Sequence, residues 1–304
     1  EVILSGGEIT GDFITNDHVN GIRGHGLITA QVVNETTIRA EGTGVLTIDP
    51  TDGPNNWDGL TDQGTLHADS ANMVLRNAGG SSSEFEGTIT IDSGREVLVD
   101  SFNLMHTGDA LLELNSGTYR STGTTQLDAS IVTVGSGPST IRNDSFLLLE
   151  FGDSASLTLN QDLHVDALNA VIRGGATTSG LGSVVNDTHL TLSDGLGLAV
   201  GLINSSLLDV GSDDMDNSLG TAELDSITQA ETGDLAIDII GLGNGQFDLL
   251  MVNNNAVLDG TLTVELLGAF TPLLGNSWTI LTTSLGLVDA DDLALNAPVV
   301  NGLT

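Results

Sequence analysis

Acidic side chains crowd two short stretches of this chain. Asp49, Asp52, Asn55, Asn56 and Asp58 share one, and Asp213, Asp214, Asp216 and Asn217 the other. Hard divalent cations take six to eight oxygen ligands from carboxylates, amides and carbonyls, which such loops can offer. Ca²⁺ is therefore the ion expected at Asp49, Asp52, Asn55 and Asp58 or at Asp213, Asp214 and Asp216, against the plainer reading of solvated turns. Neither loop has EF-hand spacing or a calcium β-roll repeat. A second constellation is Gly24-His25-Gly26 with Thr15-Asn16-Asp17 upstream. Glycoside hydrolysis needs two carboxyl groups flanking the scissile bond, and one Asp beside a glycine-framed histidine supplies half of that. The plainer reading of Gly24-His25-Gly26 is a turn.

Much other chemistry is excluded by residue type. The 304-residue chain has no Cys and no Lys, so disulfides, thiolate catalysis, Cys-bound zinc and Schiff-base lysines are all absent. The six histidines (His18, His25, His67, His106, His164 and His189) show no His-x-His or His-x3-His ligand spacing. No Gly-x-Ser-x-Gly elbow, phosphate loop or dinucleotide fingerprint occurs. No cofactor other than Ca²⁺ is expected. With 41 acidic residues against 7 arginines the formal charge is −34, which repels phosphate backbones and anionic lipids. Nucleic acid is not an expected partner. No apolar stretch is long enough to span a bilayer.

The elements that must position these residues are short strands. Gly26-Leu27-Ile28-Thr29-Ala30, Gly44-Val45-Leu46-Thr47-Ile48, Gly64-Thr65-Leu66-His67-Ala68, Gly87-Thr88-Ile89-Thr90-Ile91 and Gly260-Thr261-Leu262-Thr263-Val264 repeat one phrase. The first four glycines are spaced by 18, 20 and 23 (44−26, 64−44, 87−64). One alternating strand per repeat of about 20 residues is the pattern of a β-solenoid. Aromatics are only 3% of the chain, so the core must be stacked aliphatics. The expected fold is an all-β, right-handed parallel β-helix with ~20-residue coils. Residues 1–210 would form a rod of ~10 coils and ~50 Å, residues 211–232 an acidic junction, and residues 233–304 an end domain. The chain begins directly on a strand and reads as already processed.

The end domain carries a resemblance. Phe247-Asp248-Leu249-Leu250-Met251-Val252, Leu258-Asp259-Gly260-Thr261-Leu262-Thr263-Val264, Phe270-Thr271-Pro272-Leu273-Leu274-Gly275-Asn276 and Trp278-Thr279-Ile280-Leu281-Thr282 follow one another. The stretch that holds them resembles the C-terminal part of bacterial autotransporter passengers and of related repetitive cell-surface proteins with a sorting signal. The resemblance implies an exported protein with a β-solenoid end domain, and brings no catalytic residues. The Gly-His-Gly element is similar to one of the polygalacturonase-type signatures, but the Asp-Asp pair and Arg-x-Lys of those enzymes are missing at the matching places. Pectate-lyase-type helices use a cationic base with calcium-binding carboxylates. Arg95, Arg120 and Arg142 recur roughly once per coil, so they could stack for such a role or simply neutralise an acidic face.

The functional expectation is an exported, non-catalytic structural protein in an extracellular or cell-surface assembly: a filament, layer or adhesive stalk. The alternatives are a polysaccharide-active β-helix enzyme and an adhesin binding surface glycans. Self-association end to end is expected through the strand Glu1-Val2-Ile3-Leu4, because a strand at the end of a solenoid has an open hydrogen-bonding edge.

Overall fold

The computed structural model describes residues 1–50, 64–76, 82–128, 130–211, 219–285 and 288–298. Every regular element in them is a strand, arranged as a 22-stranded, a 10-stranded and a 2-stranded sheet with parallel pairing throughout. Among the described residues no helix is long and apolar enough to cross a membrane. The chain is a parallel β-solenoid with three faces. In the middle coils the first face carries Thr65–Ala68, Thr88–Ile91, Leu111–Leu114, Ile131–Val134 and Ser156–Leu159 in hydrogen-bonded succession. The second carries Met73–Arg76, Glu96–Asp100, Thr118–Ser121, Ser139–Asn143 and Leu163–Ala167. The third is the 10-stranded sheet, which includes Asn103–His106, Thr125–Leu127, Leu149–Phe151 and Ala170–Ile172.

Period-two alternation decides what each strand buries. In Thr88–Ile91 and Leu111–Leu114, Ile89, Ile91, Leu112 and Leu114 point inward and are fully buried, while Thr88, Thr90 and Glu113 point out. Parallel register then places Leu66, Ile89, Leu112, Val132 and Leu157 in one column. Such columns merge into a single hydrophobic core running along the axis. Each fully buried Leu or Ile contributes about 1.5–3 kcal/mol relative to exposure, so the stack needs no aromatic centre.

The glycine-led phrases do not occupy one column. Leu46–Ile48 lies on the second face and Thr65–Ala68 on the first, although Gly44 and Gly64 are separated by one expected coil length. The third and fourth phrases stack in register, Leu66 on Ile89, whereas in the first two Ile28 pairs with Ile48, a slip of two positions along the phrase. The fifth, in Thr261–Leu266, is on the third face. The phrase therefore marks any strand of a coil, and the true coil length must be read from register. From Leu66 through Ile89, Leu112, Val132 and Leu157 to Thr178 the sequence number advances by 23, 23, 20, 25 and 21. From Leu198 through Leu224 and Val252 to Thr283 the steps lengthen to 26, 28 and 31. Part of the excess is an excursion over residues 240–246, closed by an antiparallel bridge between Ile239 and Phe247. Of the stretch 211–232 expected as a junction, residues 221–229 form the strand Thr221–Gln229, whose Ala222, Leu224 and Ile227 continue the core.

Corners decide the rest. Ile22–Ile28 runs from the first face to the second without a turn, since its start pairs with Thr37–Ala40 and its end with Leu46–Ile48. The bend falls at Gly24-His25-Gly26. Gly24 has φ +122°, and a Cβ there would lie 1.9 Å from the Leu4 carbonyl oxygen of the preceding coil. At Gly26, φ +139°, it would lie 2.2 Å from the Gly7 oxygen. Only glycine admits both the conformation and the approach.

Two other corners are lined inside by amides. Asn186 Nδ2 donates to Asn204 Oδ1 at 2.8 Å, and Asn204 Nδ2 to Gln229 Oε1 at 3.2 Å, all three side chains being buried. Each also caps a backbone carbonyl of the next coil: Leu207, Asp234 and Thr261 respectively. A shorter ladder joins Asn16 to Asn34 and on to Thr37 and Thr65. Turn carbonyls hidden from water are thus satisfied by side chains, as buried polar groups require.

Candidate functional site

The calcium loops fall mainly outside the described residues: Asp52, Asn55, Asn56 and Asp58, and likewise Asp213, Asp214, Asp216 and Asn217. Asp49 is described. It follows Leu46–Ile48, is half-buried, donates its amide to the Ile28 carbonyl, and holds Oδ1 buried without a hydrogen-bond donor among the described residues. In the segment Glu1 to Leu4, the Glu1 carboxylate lies 2.8 Å from the Arg23 guanidinium, Val2 and Ile3 are exposed, and Leu4 is buried in the core. Val2–Ile9 pairs with Ile22–Ile28 on one edge.

The residues that suggested hydrolase chemistry do not converge. His25 sits at the bend between the first and second faces, its ring packed over the backbone of Gly44. Asn16 ends the strand Phe13–Asn16 with its carboxamide committed to the interior ladder, and Asp17 is exposed beyond it. Of the three arginines, Arg120 and Arg142 stack in register on the second face, with Leu98 beneath them. Arg95 precedes the strand Glu96–Asp100 and misses that column.

What the register builds instead is a set of charged rungs. Among the ion pairs of the described residues, Arg142–Asp144 lies within one coil and the others join neighbouring coils. On the first face Arg23, Arg39 and His67 stack. They reach Glu41 at 3.3 Å, Asp69 at 4.0 Å and Asp92 at 2.9 Å, each acid belonging to the next coil. On the second face Arg76 pairs with Asp100 at 2.8 Å, Arg120 with Asp144, Arg142 with Asp166 at 3.6 Å, and His164 with Asp187 at 2.8 Å. On the third Arg173 reaches back to Glu150 at 3.1 Å. Burial alone would raise the Asp144 carboxyl, but hydrogen bonds from Arg120 and Arg142 outweigh it and hold the group below the usual carboxylate range. Glu96, Thr118, Arg120, Thr140, Arg142, Asp166 and Asp187 line a shallow polar trench of about 430 Å³ along this face.

Two further groups escape notice in the sequence. Inside the middle coils Phe85, His106 and Tyr119 pack edge to face with ring centroids 5.6 Å apart, and His106 Nε2 lies 3.1 Å from the Tyr119 hydroxyl. His106 is fully buried, its Nδ1 has no hydrogen-bond partner among the described residues, and burial pushes its pKa down to about 3, so the ring is neutral. Toward the other end Asp248 is fully buried and accepts hydrogen bonds from the Gly220 amide at 2.7 Å and the Asp238 amide at 2.6 Å. Desolvation outweighs those donors and raises its pKa to about 8. Asp238 is raised to about 6 by burial and by the charges of Asp209 and Glu265. The only sequence signal for either group is polarity at an inward position: His106 closes the alternating Asn103–His106, and Asp248 sits between Phe247 and Leu249.

No protein-family model, curated protein or solved structure matches this chain.

Proposed function

We propose that the chain is an exported, non-catalytic structural solenoid that builds an extracellular or cell-surface assembly. The observation that carries this reading is the use of charge. Six of the seven arginines (Arg23, Arg39, Arg76, Arg120, Arg142 and Arg173) are held in pairs between coils. Cations placed to catalyse would converge on a common substrate atom; these are spread along the axis, each fastening one coil to its neighbour. The sequence resemblance of residues 247–282 to the end domains of exported surface proteins points the same way.

Assembly would proceed end to end. In that arrangement Val2–Ile9, paired along one edge with Ile22–Ile28, would meet the coil of Thr261–Leu266 in a second copy, where Leu262, Val264, Leu266, Trp278, Ile280 and Leu295 line an apolar opening of about 260 Å³. Such a head-to-tail contact is heterologous and propagates as a filament. Electron microscopy of the purified protein across salt and Ca²⁺ concentrations tests this: rods joined at their ends are expected. Separate monomers under every condition would end the filament proposal, and turnover of an acidic or neutral glycan would replace the structural reading with an enzymatic one.

Glycan binding without turnover is a second reading, favoured by the second-face trench. Its alternating Arg, Thr and carboxylate groups repeat coil by coil and suit an extended polar chain. Binding on a glycan array that weakens with Thr140→Val would support it.

A further inference from the structure

The first-face rungs change character at their third step. Arg23 and Arg39 are permanent cations, each facing one carboxylate of the next coil. At His67 a titratable ring takes their place, and two carboxylates meet it: Asp69 of its own coil and Asp92 of the next. One ligand atom from each residue lies within 4.8 Å of the other two. Asp69 and Asp92 immediately follow the stacked residues Ala68 and Ile91, so they occupy the same corner of successive coils, about one strand spacing apart. Arg39 reaches Asp69 only at 4.0 Å, and Glu113 is engaged by Thr90 at 3.0 Å. The side chains of His67, Asp69 and Asp92 are half-buried: partly desolvated, yet open to an ion from solution.

We infer that His67, Asp69 and Asp92 form a site for a borderline divalent cation of the Zn²⁺ class, which fastens the coil of Thr65–Ala68 to that of Thr88–Ile91. One imidazole nitrogen and two carboxylate oxygens are ligands such ions accept, with water completing the tetrahedron. Bond lengths of ~2.0–2.2 Å place tetrahedral ligands roughly 3.3–3.6 Å apart, within reach by small side-chain rotations. Ca²⁺ and Mg²⁺ prefer all-oxygen sets and are disfavoured by the imidazole. His164 and Asp187 form the same kind of His–carboxylate rung at 2.8 Å without a second carboxylate in the set, and provide an internal control.

The test is calorimetric titration of the full chain with ZnCl₂, paired with thermal unfolding. The wild type is expected to bind one tight equivalent and to unfold at a higher temperature with Zn²⁺ than in chelator, with no matching shift in Ca²⁺. His67→Gln and Asp92→Asn should each weaken that equivalent by at least about tenfold and abolish the shift, while Asp187→Asn leaves both intact. Added Co²⁺ should give visible d–d bands lost in His67→Gln. In chelator the variants should unfold like the wild type, which separates lost metal from lost fold. The inference fails if the wild type binds no Zn²⁺ at micromolar concentration, if His67→Gln binds it equally well, or if Ca²⁺ shifts unfolding as much as Zn²⁺. Equal binding by His67→Gln would show diffuse attraction to the acidic surface. These outcomes are independent of whether the protein assembles into filaments.

Discussion

The middle coils, between Thr65 and Ser193, and the later coils, from Leu196 to residue 298, share one backbone plan and handle charge differently. In the middle coils Asp92, Glu96, Asp100, Asp144, Glu150, Asp166 and Asp187 each face arginine or histidine one coil away. After Arg173 the sequence contains no further arginine. There the acids accept from neutral donors of the next coil: Glu223 from Asn253 and Asp225 from Asn254, both at 2.8 Å, and Asp234 from Thr263 at 3.0 Å. At Asp209 and Asp238 burial and neighbouring carboxylates raise the pKa instead. The buried polar groups differ in the same sense: a neutral base, His106, in the middle and carboxyls with raised pKa values, Asp238 and Asp248, later. In a parallel stack every residue has its counterpart about 4.8 Å above and below. Like charges must therefore be offset at each step, and the two regions use different means.

The two regions respond to pH with opposite sign. The folded pKa of His106 is about 3 against 6.5 ordinarily, so below 6.5 the unfolded chain binds the proton that the folded chain refuses. Stability of the middle coils is lost as pH falls from 6.5 toward 3, by up to roughly 5 kcal/mol from this group. Asp248, at about 8 against 3.8, and Asp238, at about 6, have the reverse sign. Their folded forms hold the proton more tightly, so their contribution is full below 3.8 and disappears as pH rises toward 8. Hydrogen-exchange protection factors at pH 5 and 8.5 should thus fall in acid over residues 103–134 and in base over residues 219–266. Parallel movement of the two regions would contradict the assignment.

Truncating Tyr119, a fully buried ring, should cost about 3–5 kcal/mol on replacement by alanine. Tyr119→Phe should cost about 1–3 kcal/mol, because His106 Nε2 loses its partner inside the core. Denaturant midpoints measure both, and a Tyr119→Phe variant as stable as the wild type would mean that the hydroxyl does not hold the ring.

The amide ladder sharpens the comparison from the other side. Asn204→Ala removes the acceptor for Asn186 and the donor to Gln229 and to the Asp234 carbonyl, so a loss of about 2–4 kcal/mol is expected. That loss should be insensitive to salt, and a loss that vanished in concentrated NaCl would argue against the hydrogen-bond account.

The smallest effect belongs to the exposed rungs. Arg76→Gln, which removes the pair with Asp100, should lower stability by no more than about 1 kcal/mol. That difference should shrink as NaCl rises from roughly 0.05 to 0.5 M, the range over which screening closes in on such pairs.

The amino-acid sequence by itself determined the kind of element and the kind of core. Alternation in phrases such as Thr88-Ile89-Thr90-Ile91 dictates strands with one buried face, and scarce aromatics dictate stacked aliphatics. The repeated glycine-led phrase pointed to the coil length, and the steps from Leu66 to Thr178 stay close to it. Tertiary structure alone decided which face each phrase occupies, because corners vary in length: Ile22–Ile28 bends through one at glycines, while the later coils spend residues 240–246 outside it. The same register decided which side chains became neighbours. Arg120 lies on Arg142 while Arg95 does not, and His67 meets Asp92 of the next coil without any recognisable ligand spacing. Asn16 and Asn186 look like ordinary turn residues in sequence and prove to be interior rungs. In a parallel solenoid contacts run perpendicular to the chain, so local pattern specifies each strand. Only the coil-to-coil register, summed over every corner, specifies the columns in which charge and polarity act.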